Sequence, residues 1–124
     1  MPKSRLWGCA IIAGAALVAG CSPRNVSFSA DVQPILSRNC NECHAPGKPG
    51  FEASGLDTTS HQALMKGGKF GPLVKPGDAF TSALNMLVEG RANPSIRMPH
   101  GRGKLPDKDL EILKVWVNEG AKNN

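Results

Sequence analysis

Between Phe28 and Cys43 the apolar positions recur three and four residues apart. Phe28, Val32, Ile35, Leu36, Cys40 and Cys43 thus share one face of a helix. Pro34 is tolerated only in a first turn, which favours Asp31 over Ser29 as the cap, with Phe28 packing beside the entry. The same period returns near the other end, where Leu110, Ile112, Leu113, Trp116 and Val117 line a helix opened by Pro106 and Asp107 and closed by Gly120. Two shorter helices are predicted between them. Ser60 caps one that ends at Lys66 before Gly67-Gly68, and another runs from Ser82 to Glu89 before Gly90. The expected fold class is all-α, with three to five short helices joined by long Gly/Pro-rich loops.

The N-terminal pattern is of another kind. Lys3 and Arg5 precede an apolar run, Leu6–Ala19, that falls short of the roughly 20 residues a spanning helix needs, so it reads as an export signal. The run closes on Leu17-Val18-Ala19-Gly20-Cys21, which resembles the lipobox of bacterial lipoproteins. That resemblance implies cleavage before Cys21 and a diacylglycerol on its thiol, which anchors a protein without spanning. Residues 1–20 are accordingly a lipoprotein signal peptide, 21–27 a lipidated N-terminus and spacer, and 28–122 one domain. Ordinary cleavage with Cys21 unmodified is the plainer alternative. Ser22 in place of Asp is similar to lipoproteins passed to an outer membrane. The expected location is therefore outside the cytoplasm, lipid-anchored, on the outer membrane facing the periplasm or at the cell surface. Cys9 falls in the removed segment.

Composition adds a constraint. The 124 residues include 14 Gly and 10 Pro but only 2 Trp, 4 Phe and no Tyr. One domain fits that length, and neither general disorder nor a polytopic membrane protein fits the charged and apolar fractions. So few aromatics leave little bulk for an ordinary core. Cys40-Asn41-Glu42-Cys43-His44 supplies a candidate for the missing bulk, because C-x-x-C-H is the attachment signature of c-type haem. Cysteines at i and i+3 lie on one side of a turn, so both sulfurs reach one haem edge, and the adjoining His44 presents an imidazole to the iron. A dithiol redox site would want a strand before the motif, and a structural zinc site would want a second ligand pair. Neither pattern is present.

Candidates for the opposite axial position are Met65, Met86, Met98, His61 and His100. Met65 and Met86 fall within helices among Leu residues, where Met is commonly core filler. Met98 instead sits in Arg91–Gly101, an aperiodic stretch with Pro94 and Pro99 around it, where helix packing asks for no Met. Met98 is the favoured ligand. His100 as ligand, and a site left open, remain alternatives; the plain reading of His61 and His100 is as surface residues.

In order along the chain, several pieces resemble one family. They are Asp31-Val-Gln-Pro-Ile-Leu before the C-x-x-C-H, Ser54-Gly-Leu-Asp, Gly67-Gly with Gly71-Pro72, Pro76-Gly-Asp with Ser82, Arg97-Met-Pro, and Leu105-Pro106 with Trp116-Val and Gly120-Ala121. From Phe28 to Ala121 the chain resembles small monohaem c-type cytochromes, especially planctomycete-type cytochrome c domains. The resemblance implies a cytochrome c-like fold wrapped around one covalent haem c. Cys40 and Cys43 would carry it and His44 and Met98 would ligate the iron, with first and last helices crossing at one haem edge. His100 departs from the family pattern, which commonly has Pro or a small residue there.

One-electron transfer is the expected function, and no residue set resembles a general base, nucleophile or phosphate loop, so an enzyme is not expected. The alternative is a haem sensor or peroxidase-like protein with a labile or missing distal ligand; a haem-free structural lipoprotein is a third reading. Lys66, Lys69, Lys75, Arg91, Arg97, Arg102 and Lys104 outnumber Asp78 and Glu89 between Leu64 and Leu105, which suggests redox partner proteins with an acidic docking face, or merely solvated loops. Arg91, Arg97 and Arg102 are also candidates to neutralise haem propionates. No nucleic acid and no small-molecule substrate are expected.

Overall fold

A computed structural model describes residues 25–124; the export signal, the lipobox-like segment and Cys21 lie outside the described residues. The first helix begins earlier than Pro34 suggests. Ser27, not Asp31, caps it: Ala30 N–H donates to Ser27 Oγ (3.2 Å), and Ser27 N–H donates back to Asp31 Oδ2 (2.8 Å). Phe28–Val32 forms a wide π turn in which Val32 N–H reaches Ser27 O (3.2 Å), and it runs directly into α1, Gln33–Asn39. Pro34 has no N–H to offer and its ring crowds the preceding turn. Widening that turn lets the helix pass through the proline instead of starting at it.

Four further helices follow: α2 (Pro49–Ser54), α3 (His61–Lys66), α4 (Ala83–Val88) and α5 (Asp107–Asn118). Ser60 caps α3 by accepting from Ala63 N–H (3.2 Å). Gly90, at φ +72°, follows α4, and Gly120, at φ +102°, follows α5. The sequence reading did not anticipate α2, although Pro49 at its first position and Gly55 just beyond its end, at φ +70°, are standard helix punctuation. A single short turn, Pro94–Ile96, interrupts the loop before Met98. No strand forms among the described residues beyond an isolated bridge between Gly68 and Gly71. None of the described helices is long and apolar enough to cross a membrane.

The first and last helices pack against each other, as the resemblance implied. Phe28, Val32, Ile35 and Leu36 bury themselves with Leu110, Leu113, Trp116 and Val117, and the Phe28 and Trp116 rings lie 5.6 Å apart. His61 is no surface residue. Its ring stands edge-on to both Phe28 (5.0 Å) and Trp116 (6.0 Å), with Nε2 2.7 Å from Ala121 O. The tail beyond α5 is fastened back on the entry of the chain: Trp116 Nε1–H donates to Lys122 O (3.0 Å), and Asn124 O accepts from Ser29 N–H (2.9 Å). One closed edge of the domain results.

Candidate functional site

α1 delivers the C-x-x-C-H segment as one more tight turn. Cys40 N–H donates to Leu36 O (2.8 Å), and Cys40 O in turn accepts from Cys43 N–H (3.1 Å) and His44 N–H (2.8 Å). Both thiols are free, Cys40 half-buried and Cys43 exposed. Burial, helped by the neighbouring Cys43, pushes the Cys40 thiol up to about 11. A thiol that stays protonated at neutral pH is the reverse of what a dithiol oxidoreductase requires of its attacking cysteine. Among the described residues no group of three or more His, Cys, Asp or Glu side chains is placed to hold a metal, so the structural zinc reading has no ligand set.

His44 is oriented from behind by α2. Ser54 Oγ lies 3.4 Å from His44 Nδ1. The Ser54 hydroxyl gives its proton to Gly50 O (2.6 Å) and accepts from Leu56 N–H (3.2 Å), so it can meet the imidazole only as an acceptor. Nδ1 then carries the ring proton and Nε2 keeps a bare lone pair, the tautomer suited to a metal. Burial lowers the pKa of His44, and a backbone hydrogen bond at Leu56 works against that shift. Thr58 N–H fixes the His44 carbonyl (2.8 Å).

Close approach of α2 to the motif depends on a glycine. A Cβ on Gly50 would lie 2.7 Å from Cys43 O and 3.0 Å from His44 Cε1. Alanine would add up to about 1 kcal/mol of helix propensity. Overpacking against backbone costs roughly 1–3 kcal/mol, so the clash wins. Gly50→Ala is therefore expected to lower the denaturation midpoint of the purified protein; an unchanged or higher midpoint would show that α2 can yield.

Met98 arrives from the other side of the sequence. Its N–H donates to Leu87 O in α4 (3.2 Å), the Met98–Pro99 bond is cis, and its side chain is half-buried against the core. Met65 on α3 and Met86 on α4 are also half-buried, whereas His100 is exposed. Arg102 pairs with Glu42, which lies between the two cysteines, so the chain just past Met98 returns to the motif. Arg91 pairs with Glu89 and stacks over Phe80 at 5.0 Å. Asn85, which sequence reasoning passed over, is wholly buried on α4 with neither side-chain atom partnered. Its signal was present as one amide within the apolar run Leu84–Val88.

These residues fit a c-type haem. Two free thiols share a turn with an imidazole whose Nδ1 has an acceptor, and a buried amide stands unpaired on the helix that holds the Met98 backbone. No curated protein and no solved structure gives a match to the chain. A protein-family comparison does: residues 40–100, from the first motif cysteine to just past Met98, match the family described as Planctomycete cytochrome C, and the chain carries a planctomycete-type cytochrome c domain.

Proposed function

We propose that this domain holds one haem c and passes single electrons between partner proteins outside the cytoplasm. Cys40 and Cys43 would bind the group through thioethers, and His44 and Met98 would hold its iron. Once bound, the haem supplies an iron that alternates between ferric and ferrous states. What the chain contributes is position. Ser54 keeps the ring proton on His44 Nδ1 so that Nε2 stays available, and Leu87 O holds the Met98 backbone on α4. With His44 and Met98 both holding the iron, no open place would remain for oxygen or peroxide, which favours electron transfer over sensing or peroxidase chemistry. The contact that carries this reading is Ser54 behind His44, next to the paired cysteines.

Basic side chains around the Met98 loop would meet an acidic redox partner. Arg91 and Arg102 already face carboxylates, which leaves Arg97 as the arginine of the three suited to a haem propionate. Lipidation at Cys21 would tether the domain to a membrane, on the strength of the lipobox resemblance alone.

An absorption spectrum of the oxidised protein, made in a host competent for cytochrome maturation, tests the assignment. A sulfur-to-iron charge-transfer band, with no carbon monoxide binding after reduction, is expected. A low-spin spectrum without that band would remove Met98, and carbon monoxide binding would favour the sensor reading. Ser54→Ala tests the proximal side. Losing this acceptor beside Nδ1–H makes the imidazole a weaker donor to ferric iron, so the reduction potential should rise. Voltammetry that finds it unchanged or lowered would exclude that role.

A further inference from the structure

Asn85 has a physical oddity that packing does not account for. It is 0% exposed, and neither Oδ1 nor Nδ2 has a hydrogen-bond partner. The other buried polar side chains are satisfied. Thr58 Oγ1 donates to Asn41 Oδ1 (2.8 Å), and Ser82 Oγ donates to Asp78 O (2.8 Å) while accepting from Lys75 N–H (2.8 Å). An amide buried with both ends idle is a net cost to a fold, and Leu or Met at this position would avoid it. Asn is also a poorer helix former than the Leu and Met around it. Neither core packing nor helix propensity therefore explains the residue.

Its surroundings suggest what does. α4 is the helix on which the Met98 loop is hung: Met98 N–H donates to Leu87 O (3.2 Å) and Arg91 N–H to Met86 O (2.9 Å). Met98 packs on the same core cluster that Leu84 and Val88, the neighbours of Asn85 on its buried face, help to form. A thioether has a spare lone pair even when one is given to a metal, and it accepts hydrogen bonds weakly. We propose that in the haem-bound protein Asn85 is a positioning residue for the distal ligand: its Nδ2–H donates to the Met98 sulfur, directly or through one buried water, and so holds Met98 on the iron. This rests on the His44/Met98 reading above.

Imidazole added to the oxidised holoprotein competes with Met98, and loss of the sulfur-to-iron charge-transfer band follows the displacement. Asn85→Leu should keep its haem yet bind imidazole about three- to tenfold more tightly, the loss expected for one neutral hydrogen bond. Val88→Ala, on the same buried face, is the packing control. It should lower the denaturation midpoint and leave imidazole affinity unchanged. Should Asn85→Leu fail to fold, Asn85→Ala makes the same comparison. A wild-type protein that shows the band, with an Asn85→Leu variant no more susceptible than wild type, overturns this inference alone. So does a Val88→Ala variant as susceptible as Asn85→Leu. A wild-type protein without the band overturns the Met98 assignment and this inference with it.

Discussion

Serine at both Cys40 and Cys43 is expected to yield a colourless chain that has lost most of its helical circular dichroism. The reason lies in the lengths of the helices. α2, α3 and α4 have 6 residues each and α1 has 7, while an isolated helix needs roughly 12–15 to persist in water. Only α5, with 12 residues, and α1 taken together with the π turn that leads into it, Phe28–Asn39, approach that length. The helices exist because they pack, the first helix on α5 and α4 on α5, and long connections whose ordering costs entropy join them. Haem bonds at Cys40, Cys43, His44 and Met98 would draw the two ends of the longest loop-rich stretch together, as staples do in other small domains. Native-like helical dichroism in the colourless double variant would show that the Phe28–Trp116 core suffices and would discard this account.

Met98→Ala should have the largest effect on ligand binding. The variant keeps both thioether bonds and His44, so it should retain its haem and its colour. It should lose the charge-transfer band and, once reduced, bind carbon monoxide where the parent does not. The anchoring of the Met98 backbone to α4 makes replacement of the side chain, not loss of the loop, the dominant change. His100 offers an internal control, since it is exposed and two residues away. A low-spin spectrum left intact by Met98→Ala, and abolished by His100→Ala, would move the distal ligand to the histidine.

Much of the helical layout was legible because it follows from local rules. The apolar faces of the first and last helices, Ser60 as a cap, and Gly90 and Gly120 as stops all act within a few residues of themselves. Where local rules fail, the cause is also local. Pro34 conflicts with a regular α-helix, and a wide π turn relieves that conflict. A position at a helix start points His61 to the surface, whereas its surroundings are Phe28 and Trp116, distant in sequence on both sides.

By itself the sequence determined the chemistry on offer: two thiols and an imidazole at fixed spacing within one turn, a Met in a proline-flanked loop, and the order of six family-like segments. Spacing along a turn is set by covalent geometry, so it can be read without a fold. Tertiary structure decided which atoms meet. Only the docking of α2 makes Ser54 an acceptor for His44 Nδ1, and only that close docking makes Gly50 necessary. Only burial of α4 turns Asn85 from one more polar residue into an unpaired amide. Those properties depend on distance and on exclusion of water between segments far apart in the chain, and no local pattern encodes them.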